Sequence, residues 1–118
     1  MEVELERLNR CKLLIHSLGI SPKLNGYRYL ICLIELALQD EGLGVFPLYK
    51  NGYVRLATKL NKNISNIDKS IQNAINGACN RANNAELYRL FGATIDESKG
   101  KPTNKHFIST ILELAMRD

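Results

Sequence analysis

The sequence predicts an all-α fold, a compact bundle of about six helices that contains a helix-turn-helix. Two observations point there. Apolar residues recur at three- and four-residue steps through most of the chain, which is the spacing of one helical face. Ile, Val and Thr never alternate over a strand-length stretch, so no sheet is expected. With 118 residues, 45% of them hydrophobic, the chain can bury one core and is too short for two. Residues 1–118 are therefore expected to form a single domain.

The elements follow in order. Leu5, Leu8, Cys11, Leu14 or Ile15, and Leu18 define a first helix over about 3–18, stopped by Gly19. The segment ISPKLNG connects it to a second pattern, through Tyr27, Leu30, Ile31, Ile34, Leu36, Ala37 and Leu38. The glycines of DEGLG break that pattern, and FPLYKNG reads as a loop. A short helix then carries Val54, Leu56, Ala57 and Leu60. The polar turn Asn61-Lys62-Asn63 leads into a long helix over about 64–82. A short helix over 84–91 ends at Gly92, and a last helix is expected over about 103–116, after Pro102.

Several classes of function fall away on composition. No apolar run approaches the roughly 18 residues that span a bilayer, and MEVELERLNR lacks the basic start and apolar stretch of a secretory signal. A cytoplasmic, nucleoid-associated protein without membrane contact is expected. Cys11, Cys32 and Cys79 form no CxxC pair and sit in apolar helical patterns, as small core residues in a reducing compartment do. His16 and His106 lie far apart, and no Ser-His-Asp, HExxH or phosphate-loop spacing occurs. Neither an enzyme nor a metal or cofactor site is expected.

Charge is more informative by position than in total. Residues 50–81 hold Lys50, Arg55, Lys59, Lys62, Lys69 and Arg81 against Asp68 alone, whereas the flanking segments are nearly balanced. A local basic stretch is an electrostatic footprint for a polyanion, double-stranded DNA first among them. A lysine-rich solvated surface is the plain alternative. The same stretch, about 53–82, fits a helix-turn-helix, in which the second helix lies in the major groove. On its wheel Ile64, Ile67, Ile71, Ala74, Ile75 and Ala78 share one side. Ser65, Asn66, Lys69, Gln72, Asn73, Asn76 and Asn80 lie opposite, with Asp68 at the border. Asn is a poor helix former, but its paired donor and acceptor match base edges. An Asn-rich composition would produce the same face without function.

Asn63 or Ser65 can cap this helix, the latter with Asp68 as its capping-box partner. Either choice leaves Asn66 and Lys69 near the end that enters the groove. Thr103 or Asn104 caps the last helix, flanked by Lys101 and Lys105. Backbone N–H groups at such an electropositive end can hold a phosphate.

The stretches IHSLGI, GYRYLICLI, LATKLN, IDKSIQNAI, LFG at 90–92 and above all KPTNKHFI resemble the C-terminal DNA-binding effector domain of the sporulation-initiation response regulators of Firmicutes, the stage zero sporulation protein A family. The resemblance runs from about Ile15 to Ile111. It implies six helices, the fourth reading the major groove, often as dimers on tandem sites. The family's base-reading positions fall on Asn66, Asp68, Lys69 and Asn73. Asn66 and Gln72 stand where the family carries arginine, Asp68 for glutamate, Lys69 for arginine and Asn73 for histidine. Arginine forks onto guanine whereas Asn and Gln suit adenine, so the family's own target is not expected to be this chain's best site.

Family members carry an N-terminal receiver domain. The similarity here begins shortly after Met1, and a stand-alone effector domain without a receiver is expected. The expected function is a sequence-specific DNA-binding transcriptional regulator. Its base-reading residues are Asn66, Asp68, Lys69, Gln72 and Asn73. Its phosphate contacts are Arg55, Lys59, Lys62, Ser65, Lys101, Thr103, Asn104 and Lys105. The alternative is a DNA-inactive interaction protein that pairs with a full-length response regulator, for which the first and last helices would supply an apolar patch.

Overall fold

The structure, a computed structural model, describes residues 2–39, 52–81, 89 and 102–116. These hold five helices and no strand: α1 (Glu2–Ser17), α2 (Asn25–Gln39), α3 (Tyr53–Leu60), α4 (Ile64–Arg81) and α5 (Asn104–Met116). The expected helix over 84–91 lies outside the described residues apart from the helical Arg89.

α1 ends as its sequence dictates. Gly19 takes φ +86, a left-handed conformation that costs a residue with a Cβ. Its N–H donates to the His16 carbonyl at 2.9 Å, and that of Ile20 reaches back to Ile15 at 3.4 Å. Both bonds satisfy carbonyls the helix end would otherwise orphan, and both Ile15 and Ile20 are buried. The buried stripe of α1 runs through Cys11, Ile15 and Leu18, with Leu8 and Leu14 packed at its edges. Leu5 is not part of it. It stands 59% exposed, as do Val3 and Leu13 to similar degrees, because it lies about 100° round the helix from that stripe.

α2 is the central helix, touching all four others. That explains why its buried arc is wide: Gly26, Leu30, Ile31, Leu33, Ile34, Ala37 and Leu38. Leu33 is fully buried where the periodicity favoured Leu36, which is half-buried. The tightest packing is between α2 and α4. A Cβ on Gly26 would run into the Ser70 carbonyl oxygen and come within 2.8 Å of the Ala74 Cβ. Glycine at 26 therefore lets α2 cross almost on the backbone of α4.

α4 buries Ile67, Ile71, Ala74, Ile75 and Ala78 against α2, α3 and α5. α5 buries Phe107, Ile108, Ile111, Leu112 and Ala115 and packs mainly on α1. There the Arg10 guanidinium donates to the Ala115 carbonyl at 3.0 Å, filling an open acceptor at the end of α5. The buried residues form one cluster, and the radius of gyration, 13.5 Å, is that of a compact chain of this length. No described helix is long and apolar enough to cross a membrane.

Candidate nucleic-acid interface

The helix-turn-helix is built from α3, residues 61–63 and α4. α3 stops because Asn61 turns left-handed, at φ 55, a conformation Asn tolerates better than most residues. The Lys62 N–H then reaches the Ala57 carbonyl at 3.1 Å. Two residues on, Asn63 caps α4, its Oδ1 accepting from the Asn66 N–H at 2.7 Å. This decides between the two caps the sequence allowed, and leaves the exposed Ser65 hydroxyl out of the capping role.

With its apolar stripe turned to the core, α4 presents Ser65, Asn66, Lys69 and Asn73 to solvent, with Gln72 and Asn76 half-buried beside them. Gln72 Nε2 donates to Asn76 Oδ1 at 2.9 Å, one helical turn apart. Ile64, at the first position, is 40% exposed and Val54 of α3 is 45% exposed, so neither belongs to the core as their spacing suggested. Arg55, Lys59 and Lys62 are exposed on α3 and the turn. The outer surface of the motif is therefore cationic and rich in side-chain amides.

Asp68 faces the other way. Its Oδ1 accepts from the Tyr53 hydroxyl at 2.7 Å and from Asn104 Nδ2 at 2.9 Å. Asn104 Nδ2 also lies 3.1 Å from the Asp68 carbonyl and 3.2 Å from the Tyr53 hydroxyl. One residue from the start of each of α3 and α5 thus grips the middle of the first turns of α4. Asn104 is 2% exposed, so its side chain is spent inward and only its backbone is left for a phosphate. Its Oδ1 is buried without a partner. Thr103, by contrast, caps α5 through its Oγ1, which accepts from the His106 N–H at 3.2 Å. Thr103 and Lys105 are exposed at that helix start, while Lys101 lies outside the described residues.

Sequence reasoning missed the Tyr53 tie. Its signal was there: a tyrosine in the apolar register of α3 buries a hydroxyl that needs a partner, and Asp68 sits at the edge of the α4 wheel.

A family model described as Sporulation initiation factor Spo0A C terminal matches residues 11–114. The chain belongs to that family. As a member of the Spo0A C-terminal family it is an all-helical, DNA-binding effector domain of the sporulation response-regulator type. The family is one of DNA-binding domains rather than of enzymes. The match covers α3, α4 and nearly all of α5, so the solvent-facing amides and the Tyr53–Asp68–Asn104 tie all lie within the matched residues.

Proposed function

We propose that the chain acts as one helix-turn-helix domain that regulates transcription by reading the major groove of a specific duplex with α4. The observation that carries this is the outer face of α4, where Asn66, Lys69 and Asn73 are exposed together beside the lysines of α3 and the turn. On this reading Asn66, Lys69, Gln72 and Asn73 meet base edges. Arg55, Lys59, Lys62, Ser65, Thr103, Lys105, Lys101 and the Asn104 backbone meet phosphates. Asp68 serves recognition through the angle at which it holds α4, since its Oδ1 is engaged by Tyr53 and Asn104. Lys69 suits guanine, and Asn66 and Gln72 suit adenine.

Selection from a randomised duplex pool at two salt concentrations tests the reading. A short enriched motif, with affinity falling steeply with salt, is the expected result. Retention without a motif would reduce the function to general DNA affinity. Lys69→Ala should relax preference at one position, whereas Lys62→Ala should weaken all sequences alike and flatten the salt slope by about one unit.

A second reading, a DNA-inactive chain that pairs with a full-length response regulator, has Leu5 and Leu13 in its favour. They stand 59% and 69% exposed on α1, where an apolar partner surface would cover them. Sedimentation of the chain mixed with a full-length response regulator, with Leu5→Lys/Leu13→Lys beside the unaltered chain, tests it: a joint species lost in the variant supports pairing through α1, and no joint species with either removes this reading.

A further inference from the structure

The inference rests on the groove-reading role of α4 and names a residue that sets its specificity. We infer that Asn76 is a positioning residue that fixes the Gln72 side chain before DNA arrives, so that Gln72 selects adenine and rejects guanine.

Gln72 and Asn76 stand one turn apart, flanking the exposed Lys69 and Asn73, and Gln72 Nε2 donates to Asn76 Oδ1 at 2.9 Å. A primary amide has two N–H donors and one carbonyl acceptor. With one N–H spent on Asn76, Gln72 has a single donor and its Oε1 acceptor left. Adenine offers the complement in the major groove, the N7 acceptor and the N6 amino donor. Guanine offers two acceptors, N7 and O6. An untied glutamine can turn its amino group onto N7 or O6 of guanine and swing its carbonyl clear. The tied one cannot, because its remaining edge sets a carbonyl against O6. Asn76 therefore discriminates between purines without touching a base. It also immobilises a rotamer-rich side chain in the free protein, which removes part of the ordering cost of binding.

The test compares the unaltered chain with Asn76→Ala and Asn76→Asp, by pool selection and by ¹⁵N relaxation of the Gln72 side-chain amide without DNA. Aspartate keeps the acceptor and cannot donate, so it preserves the tie. The unaltered chain should show a rigid Gln72 amide and an adenine-over-guanine preference on the order of tenfold or more at one position. Asn76→Ala should free the amide and reduce that preference severalfold, leaving the other positions as they were. Asn76→Asp should keep both the rigid amide and the preference, with weaker affinity for every sequence from the added negative charge. Equal purine preference in the unaltered chain and Asn76→Ala overturns the inference, as does a Gln72 amide equally mobile in both. A rigid amide in a protein that enriches no motif would instead sink the groove-reading function and leave the tie standing.

Discussion

Removing the Tyr53 hydroxyl isolates the tie on α4 with almost no change of volume. The bond runs to a carboxylate, and hydrogen bonds to charged groups are the stronger kind. Tyr53→Phe should therefore cost about 1–3 kcal/mol, read as a lower urea midpoint with an unchanged slope. A loss below about 0.5 kcal/mol would mean that Asn104 alone holds Asp68, given the usual net value of a hydrogen bond. Asn104 is the more exacting member. Its Nδ2 carries two hydrogens for three nearby acceptors, and its Oδ1 is buried with none to accept. Asn104→Asp would place a second carboxylate against Asp68, and like charges at that distance repel. That variant should be less stable than Asn104→Ala at neutral pH and recover ground on acidification.

At the scale of the helix, Gly26 decides a packing distance. Alanine is favoured over glycine by about 1 kcal/mol in a helix interior and by less at Gly26, the second residue of α2, so propensity alone argues that Gly26→Ala stabilises slightly. The obstacle is the Ser70 carbonyl, which is backbone and cannot swing aside. Overpacking of this kind costs about 1–3 kcal/mol, and the net effect should be a lower melting temperature. Because the displaced element is α4, affinity for DNA should fall with it. Helix starts and stops were legible from the sequence because they are local. Gly19 and Asn63 act on residues within four positions of themselves. Exposure was less legible. Leu5, Val54 and Ile64 fit an apolar period yet face solvent, since which arc of a helix is covered depends on where its neighbours lie. Leu33 is buried for the same reason, α2 being surrounded. The amide face of α4 could be read on a wheel. The inward turn of Asp68 and Asn104 could not, because their partners are 36 residues apart in the chain.

For the molecule as a whole, Cys11 couples stability to alkaline pH. Burial pushes its thiol from 9.0 up to about 11. The folded state therefore holds the proton longer than the unfolded state. The contribution is complete below pH 9 and is lost as pH rises through about 11. Denaturation from pH 8 to 11 should show a shallower decline for Cys11→Ala than for the unaltered chain, whatever the cavity does to absolute stability. The same burial should make Cys11 slow to react with a thiol reagent until the protein unfolds. Desolvation, then the Glu35 carboxylate, also raises the Cys32 thiol, with Lys59 and Arg28 opposing. The Arg10 side chain closes on the Ala115 carbonyl across 105 residues, and α1 has α5 as its main partner. Until α5 has been synthesised, α1 can meet only α2 of its two main partners, and the contact that closes the domain joins its first helix to the last one described.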